Sequence, residues 1–423
     1  MEYKSVRGMD DLLPQDAWIW HDLEAKARRE FESSGYSEIR TPILEDTSVF
    51  VRGIGETTDI VTKEMFTFQD RKERSLTMRP EGTAPIVRAY IEHALLARSP
   101  ISRLYYIGPM FRAERPQKGR LRQFFQIGAE VIGSNSPFAD IEIIAQVDGL
   151  MKSFALKDYK IKLNTLGCKA DKAKFAKALK DYLADKSSRL CDDCRARMEK
   201  NVLRVLDCKN ESCKDVVRES PNVIESLCGG CVEHFEKVKS NIESLGIRFE
   251  EAKNLVRGLD YYTGTVFEVT HTALGGQDAI GAGGRYDNLV KDMGGADVGA
   301  VGYALGIERM IIALIAEGAH PKDGDIIYIA TLGDAAKLEG IKIARSIRHG
   351  IESDGLVVLT DAGDTSLKSQ LRSADKSKAR IVILLGEDEL KQGKVAIKDM
   401  SGKNPQVMVS FGDVIEEVRK ALC

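Results

Sequence analysis

The sequence predicts an α/β protein built in several parts: an α+β body, a helical insertion within that body, and a separate α/β domain at the C-terminal end. A chain of 423 residues can form two to four domains, each with its own core. Residues 168–250 are rich in Lys, Glu and Ala at helical spacing, whereas strand and turn signals dominate on either side. The last hundred residues alternate strands and helices, which is typical of a small α/β domain.

The first part of the body is predicted to begin with an amphipathic helix that ends at Gly35, followed by a strand that ends at Pro42. A polar, basic stretch over 112–123 is flanked by two strand-like runs, so we expect it to form the loop of a long hairpin. The predicted elements are a helix at 14–34, a strand at 35–42, a hairpin at 62–79, a helix at 83–97, strands at 103–111 and 124–132, a helix at 140–154 and a strand at 159–163.

The second part of the body follows the insertion. Residues 255–269 predict a strand–turn–strand hairpin, and the bend carries an arginine, a carboxylate and two phenols: Arg257, Asp260, Tyr261 and Tyr262. Such a set suits a polar, partly anionic small ligand, although a surface hairpin with incidental charge has the same pattern. A glycine-rich stretch at 281–289 is predicted to be a loop, and an apolar helix is expected over 307–316.

The C-terminal domain is predicted to follow a short linker at 323–325. Five apolar runs form its strands, and helices are expected near 335–349, 366–375 and 413–421. The strand runs are IIYIATL, LVVLT, RIVILLG, KVAIKD and VMVSF.

Composition excludes several classes of protein. Hydrophobic residues make up 43% of the chain and charged residues 30%, as in ordinary globular proteins. The net charge of −2 gives no overall attraction to nucleic acid. The N-terminal segment has no apolar signal core, and no run approaches the roughly 20 apolar residues of a membrane span, so we expect a cytoplasmic protein without membrane association.

Two segments carry arginines toward a negatively charged ligand. The loop over 108–122 contains five basic residues and one acidic residue, and a planar arginine at its start, Arg112, suits phosphate. A solvated basic hairpin would have the same composition. The small residues of 301–309 join a strand to a helix and bring Arg309 to the helix start, where it can contact a purine ring or a phosphate.

Together these segments resemble the three signature motifs of class II aminoacyl-tRNA synthetases. The strand that ends at Pro42 corresponds to motif 1, FRAERPQKGRLRQF (111–124) to motif 2 and GYALGIERM (302–310) to motif 3. Four further segments narrow the resemblance to bacterial-type histidyl-tRNA synthetases: RGMDDLLP (7–14), TMRPEGT (77–83), LVRGLDYYTG (255–264) and GGRYD (283–287).

The resemblance covers essentially the whole chain and implies its domain organisation. The catalytic core, an antiparallel sheet flanked by helices, would comprise residues 1–166 and 251–322. Residues 167–250 would form the helical insertion, and residues 325–423 an α/β anticodon-binding domain. The family also implies a homodimer built through motif 1.

The resemblance implies that the substrates are ATP, L-histidine and tRNA(His), with Mg²⁺ on the phosphates and histidyl-adenylate as the intermediate. The implied catalytic residues are Arg112 and Arg257, and the implied ATP-binding residues are Arg112, Glu114 and Arg309. Arg115 and Gln117 would contact the tRNA. The residues implied in histidine binding are Glu81, Thr83, Arg112, Gln126, Glu130, Arg257, Tyr261 and Tyr262, of which Glu81, Thr83 and Gln126 would surround the α-amino group, and Glu130, Tyr261 and Tyr262 the imidazole.

Six of the eight cysteines crowd between residues 191 and 231. The two Cys-x2-Cys pairs, Cys191 with Cys194 and Cys228 with Cys231, have the spacing of zinc knuckles, and a structural Zn²⁺ is one hypothesis for them. Further candidate ligands are Cys208, Cys213 and His234. The alternative is that these cysteines are small buried hydrophobes.

Two other functions stay open at this point. A histidine-binding regulatory paralogue that does not charge tRNA would usually lack the C-terminal domain and lose catalytic residues, whereas Arg112, Arg257 and that domain are present here. A class II synthetase for threonine, proline or glycine is the second alternative, against which Glu130, Tyr261 and Tyr262 favour an imidazole.

Overall fold

The computed structural model describes residues 3–56, 58–276, 278–321, 324–353, 355–402 and 404–422. The chain divides into two compact units, residues 1–319 and 320–423. The second unit thus begins five residues before the predicted start at 325, and one residue of the predicted linker, 323, lies outside the described residues, as does residue 322. The division of the first unit into core and insertion stays a prediction.

The elements of the first unit up to the insertion are α1 (Ala17–Ser33), β1 (Ser37–Glu38), β2 (Leu44–Asp46), α2 (Thr47–Ile54), β3 (Phe66–Gln69), β4 (Ser75–Met78), α3 (Thr83–Glu92), α4 (Leu95–Arg98), β5 (Ser102–Phe111), β6 (Gln123–Ile132), α5 (Pro137–Ser153) and β7 (Tyr159–Thr165). Four helices follow, α6 (Lys169–Ala184), α7 (Asp192–Lys200), α8 (Glu211–Arg218) and α9 (Gly229–Ser244). The unit continues with β8 (Phe249–Glu251), β9 (Thr263–His271), β10 (Ala279–Arg285), α10 (Leu289–Asp292), β11 (Ala300–Gly306) and α11 (Ile307–Ala316).

An eight-stranded sheet forms the centre of the first unit, in the order β1-β5-β6-β11-β10-β9-β7-β8. Its inner pairs are antiparallel, and only the two edge pairs, β1 with β5 and β7 with β8, are parallel. The predicted antiparallel sheet flanked by helices is therefore confirmed. β2, β3 and β4 form a separate three-stranded sheet.

The two faces of the sheet have different partners because side chains alternate along each strand. Ile127, Ala129 and Val131 of β6 pack into a core shared with α1, α5, α9 and α11. The opposite face carries a smaller core formed with α3 and α10, to which β5 contributes Tyr106 and Met110. The polar side chains described below lie on this second face.

Two sequence predictions for this unit were wrong. Residues 255–262 form no strand, because their backbone groups bond elsewhere: Asp260 N–H donates to the Ile54 carbonyl (3.1 Å), and Lys172 Nζ donates to the carbonyls of Asp260 (2.8 Å) and Tyr262 (3.1 Å). The glycine-rich stretch predicted as a loop begins in strand β10, between β9 and β11. Glycine suits this strand because a Cβ on Gly283 would lie 2.4 Å from the Gly302 carbonyl oxygen.

The second unit contains β12 (Ile326–Thr331), α12 (Asp334–Gly350), β13 (Val357–Thr360), α13 (Leu367–Lys376), β14 (Ile381–Leu385), α14 (Glu387–Gln392), β15 (Lys394–Asp399), β16 (Val407–Ser410) and α15 (Val414–Leu422). Its sheet has the order β13-β12-β14-β15-β16, with β13, β12 and β14 parallel and the rest antiparallel. Helices α12 and α15 pack on one face and α13 on the other, so this unit has its own core.

Candidate functional site

A buried carboxylate, Glu130 of β6, lies at the centre of the polar face of the large sheet. Only 1% of the residue is exposed. Thr83 Oγ1 donates to its Oε1 (2.7 Å), and Tyr286 OH donates to its Oε2 (2.5 Å). Burial raises the pKa of Glu130 to about 8, and these two donors oppose the rise. The pocket therefore holds a carboxyl group that can exchange a proton near neutral pH.

Two glycines make room for Glu130 and for the ring of Tyr106. Gly302 of β11 lies beside Glu130 in the register, and a Cβ there would lie 1.6 Å from Glu130 Oε2. Gly128 occupies the next position on the same face of β6, where a Cβ would lie 2.4 Å from the Tyr106 ring. Side chains at these two positions would displace Glu130 and Tyr106, so the sequence is constrained there by space.

A second buried carboxylate, Glu81, lies at the start of helix α3. Its two oxygens accept from the backbone N–H groups of Thr83 (2.8 Å) and Ala84 (2.8 Å). Burial raises the pKa of Glu81, while these two bonds and the Arg112 guanidinium oppose the rise. The helix start thus fixes Glu81 and, through the Thr83 hydroxyl, connects it to Glu130.

Four tyrosines line the same region. The rings of Tyr261 and Tyr262 are 4.7 Å apart, and Tyr261 meets Tyr286 edge-on at 5.6 Å. Burial raises the pKa of Tyr106, Tyr261 and Tyr286 well above the usual value, so they stay neutral and can donate hydrogen bonds at pH 7. Among the described residues, the buried Tyr106 hydroxyl has no hydrogen-bond partner.

Two further polar atoms of this face are buried and unpaired within the described part of the chain, the Gln126 Oε1 and the Arg257 Nε. Gln126 lies on β6 four residues before Glu130, and therefore on the same face of the strand. Arg257 is held by an ion pair from its Nη1 to Glu268 Oε1 of β9 (3.1 Å). Buried polar groups are normally paired, so an unpaired acceptor and an unpaired donor here indicate a polar ligand.

The predicted basic loop joins β5 to β6. Arg112 at its base donates from Nε to the Pro80 carbonyl (2.9 Å), and its guanidinium lies 5.2 Å from the centre of the Phe124 ring. Glu114 accepts from Arg120 Nη1 (3.0 Å). Arg115 and Gln117 are exposed near the loop tip, which makes them available to a large partner.

The start of helix α11 closes the other side of this loop. Arg309 donates from Nε to the Gly119 carbonyl (2.9 Å) and from Nη1 to the Ala279 carbonyl. Burial lowers its pKa, yet an arginine keeps its charge at neutral pH. One residue earlier, Glu308 accepts from Phe125 N–H (2.9 Å), and burial raises the pKa of Glu308 to about 7. Hydrogen bonds from Arg309 and to Glu308 thus fix the start of α11 against the basic loop and the beginning of β6.

The structure thus gathers Glu81, Thr83, Glu130, Tyr261 and Tyr262 in one connected cluster, with Gln126 on the same face. Sequence reasoning missed three members of this region: Tyr106, Glu268 and Tyr286. Tyr286 lies in the GGRYD segment, so a signal existed for it. Tyr106 and Glu268 gave none, because only the strand register brings them to the site.

The four cysteines predicted as zinc ligands are not brought together. Cys191 and Cys194 lie with Cys208 and Cys213, whereas Cys228 and Cys231 lie with Cys168 and Asp171. The Nε2 of His234, a further candidate ligand, lies instead 3.3 Å from Asp140 Oδ2. Each Cys-x2-Cys pair stays together but meets a different partner helix, so the structural Zn²⁺ stays a prediction and one shared site for both pairs is not what the fold presents.

Comparison with known protein families shows to which family this chain belongs. A family model described as histidyl-tRNA synthetase matches residues 8–310, which include every residue of the site described above. The chain belongs to the histidyl-tRNA synthetase family. A second model, described as anticodon binding domain, matches residues 327–421 in the second compact unit.

Individual relatives agree with this assignment to the histidyl-tRNA synthetase family. A histidine–tRNA ligase from Thermosipho melanesiensis is 46% identical over 400 residues, covering 94% of each chain. One from Halothermothrix orenii is 44% identical over 422 residues, covering 99% of this chain and all of the relative. An apo histidyl-tRNA synthetase from S. aureus has a TM-score of 0.80 at 33% identity and covers 98% of this chain and 99% of its own.

Proposed function

We propose that this protein is a histidine–tRNA ligase: ATP and L-histidine give histidyl-adenylate and pyrophosphate, and the histidyl group then passes to tRNA(His) with release of AMP. The observation that carries the proposal is the buried cluster around Glu130, within a chain matched almost end to end by histidine–tRNA ligases. The regulatory-paralogue alternative is not favoured, since those relatives are named as ligases and the anticodon-binding unit is present.

Histidine recognition would use two kinds of group: buried polar atoms that have no partner within the described part of the chain, and carboxyl groups whose pKa is raised by burial. The ammonium group of histidine donates only, so it suits the carboxylate of Glu81 and the free Gln126 Oε1. The imidazole has two ring nitrogens, and we assign them to Glu130 and to the neutral phenols of Tyr261 and Tyr262. A competing amino acid without these nitrogens would leave buried groups unpaired, which typically costs 10⁴–10⁵-fold in specificity, so ~10⁴ is expected here.

Adenylation would rest on positioning and charge stabilisation. The histidine carboxylate is ionised at pH 7, so no general base is needed for its attack on the α-phosphorus of ATP. We assign Arg112 and Arg257 to the charge that develops on the α-phosphate, since both guanidiniums are fixed by neighbouring groups, Pro80 and Glu268. Arg309 and Glu114 would contact ATP. Mg²⁺ would arrive on the ATP phosphates, its usual binding mode in such sites.

Transfer to tRNA would use surfaces outside the adenylation pocket. The exposed Arg115 and Gln117 near the tip of the basic loop suit the acceptor end of tRNA(His). The second unit would bind the anticodon, in accordance with its family match over 327–421. None of the helices in the described residues is long and apolar enough to span a membrane. The homodimer and the cytoplasmic location remain predictions from the sequence.

Removing the second unit separates the two half-reactions. We expect a chain that ends at Ala319 to retain histidine-dependent ATP–pyrophosphate exchange, because its core and pocket lie within the first unit. Charging of tRNA(His) should fall by about 10²–10⁴-fold, since one of two linked binding modules is lost. Charging with radiolabelled histidine, at matched concentrations of active sites, measures this. Equal losses in both assays would contradict the assignment of anticodon binding to the second unit.

A further inference from the structure

The cysteines of the helical segment between β7 and β8 form two compact groups. The Sγ atoms of the first group lie within 4.8 Å of one another: Cys191, Cys194, Cys208 and Cys213. The ligand atoms of the second group satisfy the same limit: Cys168, Asp171, Cys228 and Cys231. Each group offers four donor atoms, which is the number that a closed tetrahedral metal site requires.

We propose that this segment binds two structural Zn²⁺ ions, one in the group of four cysteines (site one) and one in the group of three cysteines and an aspartate (site two). Tetrahedral Zn–S bonds of about 2.3 Å place neighbouring sulfurs about 3.8 Å apart. The Cys191 and Cys208 sulfurs are 3.8 Å apart. Sulfur-rich tetrahedral sites select zinc among the common divalent ions, and four protein ligands leave no open position for catalysis.

Both sites repeat one local design, in which ligands flank the N-terminus of a helix. Cys191 precedes α7 and Cys194 lies in its first turn, while Cys228 precedes α9 and Cys231 lies in its first turn. In site two, Cys168 and Asp171 have this placement at α6, whereas in site one Cys213 lies in the first turn of α8 and Cys208 lies three residues before that helix. A helix N-terminus stabilises a thiolate, the form of cysteine that binds metal.

Backbone amides point at the ligand atoms themselves. Cys191 N–H donates to Cys213 Sγ (3.2 Å), and Asn210 N–H donates to Cys208 Sγ (3.5 Å). In site two, Asp171 accepts from the backbone N–H of Cys228 (3.0 Å) and of Cys168 (3.3 Å). Such bonds orient the ligands of a metal and offset their negative charge.

A purely apolar role explains only part of this arrangement. It accounts for the buried Cys194 and Cys213, since free cysteine packs as a small hydrophobe. It does not account for Cys228, which is exposed, and the capping of α6 by Asp171 does not account for the three thiols that surround this carboxylate. Metal ligation explains the four positions of site two together.

Site two also lies beside the candidate histidine pocket. Lys172 follows the ligand Asp171 and donates to the carbonyls of Asp260 and Tyr262, which flank the pocket tyrosine Tyr261. A metal that fixes the start of α6 therefore also fixes Lys172, which holds the loop that carries Tyr261. Zinc content itself does not depend on the charging activity, so the failure of one proposal leaves the other standing.

Metal analysis of the full chain, purified without chelator, tests the two sites. We expect two Zn²⁺ per chain, and one after either Cys194→Ser or Cys231→Ser. The matched control is Cys423→Ser, at the end of the chain, which should keep two. Well under one zinc per chain overturns the proposal, and a single zinc unaffected by Cys231→Ser overturns site two.

Thiol titration of the unmutated chain keeps the proposal testable even where a variant fails to fold. We expect the thiols of the two groups to resist modification until a chelator removes the metal, with thiol exposure and zinc release in step. Free reaction before chelation, or a Cys191–Cys208 disulfide found by mass spectrometry, contradicts the metal sites. Folded Cys231→Ser should bind histidine more weakly, because Lys172 at the start of α6 supports the loop that carries Tyr261, and unchanged affinity after loss of the metal overturns its link to the pocket.

Discussion

Arg257→Ala is expected to slow histidine-dependent ATP–pyrophosphate exchange by about 10³-fold, with a far smaller change in the affinity for histidine. Arg257 is held by Glu268 of β9, and its buried Nε has no partner among the described residues. A fixed donor of this kind contributes most where charge develops in the transition state, and removing one such donor typically costs 10²–10³-fold, so ~10³ is the upper expectation. Exchange kinetics and calorimetric titration of histidine, on the same preparation, measure the two effects.

The matched control for this variant is Arg103→Ala. Arg103 also forms an ion pair with a carboxylate, Glu142, but that pair lies with α5 on the opposite face of the sheet from Glu130. Its removal should leave exchange nearly unchanged. Loss of histidine binding in Arg257→Ala, equal to the loss of exchange, would mean that Arg257 holds the amino acid rather than the phosphate.

Glu130→Gln is expected to weaken histidine binding by about 10–100-fold, since a hydrogen bond to a charged group contributes roughly 1.5–3 kcal/mol. Glutamine keeps the size of the side chain between Thr83 and Tyr286, but it cannot release a proton when histidine binds, and so it cannot take the negative charge that an imidazolium or a ring N–H favours. Calorimetric titration of histidine at pH 7 measures the change. Glu142→Gln is the control, and equal affinities of Glu130→Gln and the unmutated protein would remove Glu130 from the pocket.

The same variant should change how stability depends on pH. Burial raises the folded-state pKa of Glu130 to about 8, whereas the unfolded value is about 4.3. The folded state therefore retains a proton that the unfolded state loses. The stability that the folded state gains from this proton is complete below about pH 4 and declines as the pH rises toward about 8. Relative to Glu130→Gln, the ligand-free unmutated protein should lose melting temperature between about pH 5 and pH 8. A constant difference would mean that Glu130 titrates normally.

The sequence predicted the sheet and its helices because the strands of the core are long, apolar and bounded by turns. β5 and β6 lie close to where the apolar runs place them, and the basic loop joins them as expected. The loop at 255–262 was mistaken for a strand because its apolar residues pack against the helical segment, and not in a ladder. The local sequence pattern cannot distinguish a strand from a loop packed against helices, since both bury the same side chains.

What the sequence could predict of the site was limited for a similar reason. The predicted histidine-binding residues come from four separate segments, and the motifs identified these residues but not their geometry. The ion pair of Arg257 with Glu268 and the bond of Tyr286 to Glu130 depend on which strands are neighbours, a long-range property. The cysteines show the same limit, because spacing identifies the two Cys-x2-Cys pairs but the fold decides which other residues each pair meets.

Histidine-dependent ATP–pyrophosphate exchange without tRNA, repeated with threonine, proline and glycine, tests the central claim most directly. We predict exchange with histidine alone, because the pocket combines a titratable Glu130 with neutral phenols suited to an imidazole. Histidine binding without any exchange would contradict the claim and favour a regulatory histidine-binding protein. Exchange with one of the other amino acids would contradict the assignment of the pocket to imidazole.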